Sequence, residues 1–244
     1  MKIKIINPNT TQTMTNDIEL AGKRYARTDT EVYAVSPATG PESIESMYDE
    51  YMAIPGVLSE IIKGDREEKA DAFIIACFGD PGLMAAKEVT DKPVVGIAQA
   101  AFATAKMIAP NFSVVYVLDR AEQVVRDVVH LHGMERFCRS CRSTGLGVLD
   151  FERDRSAGLR ALAEQGRRCV EEDGAECVVL GCAGFVQFVD ALNAELGVPV
   201  IDGVSPAVKM CEALVDMGCK NAKRNLWSNP EPKEILGLQD IIKF

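Results

Sequence analysis

The chain reads almost twice, and that repetition limits its fold more than any single motif does. Asp71-Ala-Phe-Ile-Ile-Ala-Cys77-Phe-Gly-Asp80 returns in the second half as Ala175-Glu-Cys-Val-Val-Leu-Gly-Cys182-Ala-Gly184. Each copy is a short apolar run ending on a cysteine with glycine close behind. A second matching run follows each, Lys92-Pro-Val-Val-Gly-Ile97 and Val198-Pro-Val-Ile-Asp202. Two similar half-folds facing each other would carry two thiols to opposite walls of one cleft. That arrangement suits taking a proton from one face of a carbon and returning one to the other.

Short β-rich runs alternate with amphipathic helical patterns along the whole chain, the mark of parallel sheets covered by helices. Strands are expected at 3–6, 31–35 and 112–118, in the two cysteine runs, and as a short piece near 147–149. Thr10 or Thr11 can cap a first helix carrying Met14, Ile18, Ala21 and Tyr25 on one face. A second helix should begin near Ile44 and bend or break at Pro55. A helix over 121–132 stops at Gly133, and another ends at Gly174. The polar last segment, 220–244, with Trp227, Pro230 and Pro232, belongs on a surface or across an interface. The second copy ends near Asp202, so the remaining residues return to the first lobe. Residues 1–98 with 205–244 then form one lobe, and residues 99–204 the other.

Composition excludes several functions. A net charge of −9 argues against nucleic acid or an anionic membrane as partner, though not against a locally bound anion. No stretch has the length of a membrane span, and Met1-Lys-Ile-Lys-Ile-Ile reads as a strand rather than a secretory leader. Eight cysteines in such a chain point to reduced thiols in a cytoplasm, not a disulfide framework.

In an open parallel sheet, ligands bind beyond the carboxyl ends of the strands, where Cys77 and Cys182 both fall. A lone cysteine is commonly a small buried hydrophobe. Core packing gives no reason for cysteine at the same strand end in both halves, so the pair reads as catalytic. Gly79 and Gly82 on one side, and Gly181 and Gly184 on the other, let backbone approach a ligand. The N–H groups of Phe78, Gly79, Ala183 and Gly184 are expected to open helices, hold a developing enolate and draw each thiol below its ordinary pKa.

With these residues the chain resembles the aspartate/glutamate/hydantoin racemase superfamily, and within it the hydantoin and allantoin racemases. The segments carrying the likeness are Ile6-Asn-Pro-Asn-Thr10, Ser43-Ile-Glu, Ala76-Cys-Phe-Gly-Asp-Pro-Gly82, Leu180-Gly-Cys-Ala-Gly184, Val200-Ile-Asp-Gly-Val204 and Ala207-Val-Lys-Met210. The resemblance implies two flavodoxin-like, Rossmann-like α/β lobes related by a pseudo-two-fold axis, with the active site between them. It implies Cys77 and Cys182 as the two acid/base residues, with no cofactor and no metal. Asn7, Asn9, Ser43 and Ile44 match pocket positions, although Asn-Pro-Asn is equally a capping turn. Amino-acid racemases of the superfamily carry Cys-Asn-Thr and Cys-Thr-His at the two sites. Here Cys77-Phe-Gly and Cys182-Ala-Gly stand instead, which suits a flat neutral ring better than a zwitterion. Relatives place a threonine pair where this chain has Tyr116-Val117. The implied reaction is inversion at C5 of a small hydantoin-type substrate, by a cytoplasmic homo-oligomer.

Two enzyme alternatives remain: a thiol-dependent amino-acid racemase, and a lyase or isomerase of the arylmalonate decarboxylase or maleate isomerase kind. A metabolite-binding protein with inert thiols is a third. Cys138-Arg-Ser-Cys141 with His130 and His132 nearby falls short of a zinc site, because one CxxC is too few and the two histidines point to opposite sides. Arg136, Arg139 and Arg142 beside these thiols mark them as easily oxidised. Cys169, Cys177, Cys211 and Cys219 read as core residues.

Overall fold

A computed structural model of the protein describes residues 1–233 and 235–237. Strand β1 (Lys2–Ile6) lies between β2 (Glu31–Val35) and β3 (Ala72–Ile75), and β4 (Val94–Gly96) extends the sheet to the order β2-β1-β3-β4. The second sheet repeats this. Strand β5 (Phe112–Tyr116) lies between β6 (Cys138–Ser143) and β7 (Val178–Leu180), with β8 (Val200–Ile201) beyond, in the order β6-β5-β7-β8. Every pairing is parallel. This is the flavodoxin-like order, and it puts a topological switch point between β1 and β3 and another between β5 and β7. Strand β3 is buried throughout, as the unbroken apolar cysteine run requires of a strand covered on both faces.

The covering helices are α1 (Gln12–Tyr25), α2 (Met47–Lys63), α3 (Leu83–Val89), α4 (Ile97–Ile108), α5 (Glu122–Leu131), α6 (Asp150–Arg153), α7 (Arg155–Glu171), α8 (Val189–Leu196) and α9 (Val204–Asp216). Two of them exchange sheets. Helix α4 leaves the last strand of the first sheet and packs on β7 and β8, while α9 leaves the last strand of the second and packs on β3 and β4. Ala98, Ala101, Phe102 and Ala105 of α4 share one buried cluster with Phe112, Val114 and Val179. The two exchanged helices also pack on each other, beginning where Gly203 meets Ile97. A Cβ at Gly203 would lie 2.5 Å from the Ile97 carbonyl oxygen, so only glycine permits this backbone contact.

Several expectations need correction. Helix α2 starts at Met47, with the Ser46 side chain accepting from the Asp49 N–H, and it runs through Pro55 without a break. A proline inside a helix removes one backbone bond; here Ala53, Val57 and Ile61 stay buried on one face and hold the flanking turns. Residues 147–149 form no strand. The partner of β5 is instead β6, the basic CxxC stretch, whose polar residues suit a sheet edge and hide the apolar alternation. Cys169, Cys177 and Cys211 are buried as expected, but Cys219 is exposed. The last segment lies on the surface as far as it is described: the Lys87 ammonium sits 4.9 Å from the Trp227 ring centre. Residue 234 and residues 238–244 of that segment lie outside the described residues. Among the described residues, no helix is long and apolar enough to cross a membrane.

Gly203→Ala should destabilise the fold by about 2 kcal/mol, because backbone on both sides cannot yield to the added methyl. A lowered urea midpoint with an unchanged denaturant slope is the expected result.

Candidate active site

Both cysteines occupy the same place in their sheets. Ile75 closes β3 and Leu180 closes β7, and in each case the cysteine stands two residues further on. The strand beside each, β1 or β5, ends on Ile6 or Tyr116, with Asn7 or Val117 next along the chain. Cys77 and Cys182 therefore reach the two switch points, and both line one cavity of about 60 Å³. That is room for roughly four waters. Asn7, Asn9, Ile44, Phe78, Gly79, Tyr116, Val117, Gly181 and Ala183 line it too. Gly184 stands just behind, where an added Cβ would lie 3.8 Å from the Cys182 Sγ. Ser43 is not part of this wall; the next three residues, Ile44, Glu45 and Ser46, form it instead.

The loops after the cysteines differ from expectation and from each other. After Cys182 a 3₁₀ turn runs over Ala183–Phe188. No helix opens directly after Cys77. The chain makes a tight turn in which the Asp80 N–H reaches the Cys77 carbonyl, 3.0 Å, and Asp80 takes a left-handed φ of 47°. Helix α3 begins only at Leu83. Asp80 explains the detour. Its buried carboxylate accepts the Ala98 N–H at 3.1 Å and the Gln99 N–H at 3.0 Å, at the first turn of α4. It also bonds the His132 ring nitrogen at 2.9 Å, just past α5. A Cβ on Gly96 would fall 2.2 Å from this carboxyl group, so glycine there makes room for the pin. The matching position after Cys182 is Phe185, fully buried, with its ring 4.5 Å from that of Phe151. One lobe holds its cysteine loop by a carboxylate and the other by an apolar contact.

Asn7 and Asn9 do the capping work of their turn and still face the cavity. The Asn7 amide donates to Asn9 Oδ1 at 2.8 Å and to Thr15 Oγ1 at 2.9 Å, and Asn9 Oδ1 also accepts the Thr11 N–H. Phe78 is buried edge-on against Phe102, with ring centres 5.4 Å apart, and so supplies a rigid aromatic wall. Tyr116 reaches the wall from β5, and burial with nearby Glu122 raises its phenol to about 12.

Residues 3–211 match the family described as Asp/Glu/Hydantoin racemase. The chain belongs to that family. A hydantoin racemase of a Pseudomonas species is 56% identical over 97% of this chain and 95% of its own length. Allantoin racemase from Klebsiella pneumoniae superposes with a TM-score of 0.96 at 42% identity, covering 100% of both chains. Allantoin racemase from Pseudomonas fluorescens gives 0.93 at 34% identity, over 97% of this chain and 100% of that one. The protein is accordingly an enzyme of the racemase type, and its two sheets have the fold of this family.

Sequence reasoning missed the acidic part of the wall. Glu45 and Glu50 both line the cavity, from the segment that enters and begins α2. Glu45 Oε1 accepts the Val148 N–H at 2.8 Å, a bond from the first half of the chain to the second. Glu50 lies against Gly79, and burial followed by the charges of Asp80 and Asp127 pushes its carboxyl up to about 7. Its place on an amphipathic helix gave no signal distinct from an ordinary solvated carboxylate.

Burial, with these carboxylates adding to it, overturns the expectation of acidic thiols. Burial pushes the Cys77 thiol well above its ordinary value; Glu50 adds to this, the Gly79 N–H opposes it, and Cys182 raises it further. Burial likewise raises Cys182 to about 11, with the Gly184 N–H opposing and Glu152 and Glu45 adding. Gly79 and Gly184 thus each aim an N–H at a sulfur, but desolvation outweighs them. At neutral pH both thiols keep their protons.

Asp80→Ala leaves three donors without their buried acceptor and should cost about 3 kcal/mol. Urea unfolding measures the loss. The released turn should also make Cys77 react faster with iodoacetamide, while Cys182, held by Phe185, keeps its rate.

Proposed function

We propose that the protein is a cofactor-independent, two-base racemase of 5-substituted hydantoins, in the manner of a hydantoin or allantoin racemase. The observation that carries this reading is the placement of Cys77 and Cys182 at matched strand ends on one small cavity whose lining, among the described residues, holds carboxylates but no lysine, arginine or histidine. An amino-acid substrate brings an α-carboxylate, which two acidic side chains would repel. A hydantoin ring is neutral and flat, and it offers N–H donors. The Glu50 carboxylate makes no hydrogen bond or ion pair among the described residues and is open to accept such a donor.

In the proposed reaction, one cysteine first loses its proton to solvent and, as thiolate, removes the proton at C5, becoming a thiol again. The electron pair passes into the neighbouring ring carbonyl as an enolate. The other cysteine, still a thiol, delivers its proton to the opposite face. For the other enantiomer the roles exchange. Asn7, Asn9, Ile44 and Val117 are proposed to contact the ring, Phe78 to wall it, and the Phe78 and Ala183 N–H groups to hold the enolate oxygen. Gly79 and Gly184 are assigned instead to the sulfurs they face. The scheme routes no step through a metal or cofactor. Residues 1–98 with 205–244, and residues 99–204, remain the proposed lobes. The eight cysteines of the chain favour a reducing cytoplasm, and exposed Tyr48, Tyr51 and Met52 on α2 support assembly with further copies.

The test is incubation of a single enantiomer of a 5-substituted hydantoin in deuterated water. Loss of optical rotation with deuterium at C5 is expected for the native chain, and neither Cys77→Ala nor Cys182→Ala should interconvert the enantiomers. Full activity in either variant would exclude two-base chemistry.

The raised thiols set the pH dependence. A thiol with a raised pKa is protonated at neutral pH, so the fraction of enzyme holding one thiolate should grow roughly tenfold per pH unit. kcat/KM should therefore climb through the alkaline range until the pH nears the Cys182 value of about 11. Both enantiomers must share this profile, because their equilibrium constant is unity. Glu50→Gln removes a charge that raises Cys77, so alkylation of Cys77 should set in at lower pH than in the native chain. A profile flat from neutrality upward would contradict the protonated resting pair.

A further inference from the structure

The CxxC of edge strand β6 is built differently from an ordinary strand segment. Side chains alternate along a strand, so residues three apart should face opposite ways. In β6 they do not. Phe112 pairs with Cys138 and Val114 with Cys141, so two steps along β5 are matched by three along β6, and one residue is bulged out. The bulge turns both cysteines to one side, where their sulfurs lie 3.8 Å apart. The distortion is pinned from behind. The Ser140 hydroxyl bonds Ser113 Oγ at 2.8 Å and the Asp173 carboxylate, which also takes the Arg142 guanidinium at 2.6 Å.

We propose that Cys138 and Cys141 are a redox-active dithiol that a small-molecule disulfide converts to an intramolecular disulfide. Both residues are half-buried, and they open on a surface hollow of about 120 Å³ lined also by Arg126, Glu135 and Arg139. This hollow is separate from the cavity of Cys77 and Cys182. The thiols are unequal, as attacking and resolving sulfurs need to be. The hydrogen bond shared between the two sulfurs lowers Cys141, and Arg126 assists; the same bond, with burial, raises Cys138, whose S–H also lies 3.4 Å from the Ser140 carbonyl oxygen.

Cys141, as thiolate, attacks one sulfur of the oxidant, forming a mixed disulfide and expelling a thiolate that takes up a proton. Cys138 then loses its proton and attacks the Cys141 sulfur. The second half of the oxidant leaves as a thiol. Two protein thiols are oxidised by two electrons, and one disulfide is reduced to two thiols.

Trypsin gives a direct readout, because Arg136, Arg139 and Arg142 frame the two cysteines. The intact protein is treated with oxidised glutathione, its remaining thiols are alkylated, and it is digested. Residues 137–139 and 140–142 should stay joined, short of two hydrogens, at oxidant levels that leave Cys77 and Cys182 alkylated, and dithiothreitol should separate them. Cys138→Ser should trap glutathione on Cys141, whereas Cys141→Ser should leave Cys138 unmodified. Separate tripeptides after oxidation, or equal glutathione uptake by the two variants, would overturn the proposal.

Discussion

A single buried carboxylate ties together the parts of the first cysteine loop. Asp80 stands three residues after Cys77 and accepts from two backbone N–H groups of α4 and from the His132 ring. A buried acceptor left without donors is costly, and so are buried donors left without an acceptor, which makes the arrangement all-or-none. It obliges Asp80 to adopt a left-handed backbone, obliges residue 96 to be glycine, and fixes where α4 begins. Because α4 crosses to cover the other sheet, the same bonds orient the first cysteine relative to the second lobe.

The cavity between the sulfurs is governed by desolvation. Burial raises both thiols, and each has acidic company: Glu50 beside Cys77, Glu152 and Glu45 acting on Cys182. The one opposing feature common to both sides is a backbone N–H two residues after each cysteine. Such a site holds its protons at rest and releases one only at a cost, as the proposed pairing of an acid with a base would require. The acidity that suppresses thiolates also disfavours anionic ligands, so the same side chains bear on both reactivity and selectivity.

Duplication gave the two halves equal strand orders and equal cysteine positions, but not equal supports. Phe185 replaces Asp80 at the corresponding place and packs on Phe151. The polar pin needs partners from α4 and His132, whereas the apolar contact needs only its own lobe. Edge strand β6 shows a similar divergence, since its counterpart β2 pairs with β1 in unbroken register while β6 is bulged.

The sequence by itself determined the duplicated α/β architecture, the two cysteines and most of the cavity wall, because each is written locally: an apolar run, a cysteine at its end, glycines beyond it. Phe78 was legible for the same reason, whereas Asn7, Asn9 and Tyr116-Val117 were legible through the family resemblance of the segments that hold them. Only the tertiary structure decided what depends on distant partners. The polar composition of β6 concealed a strand that, among the described residues, pairs with β5 alone. Glu45 and Glu50 become site residues because α2 brings them over strand ends far along the chain. The sign of the thiol shifts was lost for that reason too: neighbouring glycines promise N–H donors, while burial and carboxylates from elsewhere in the chain outweigh them.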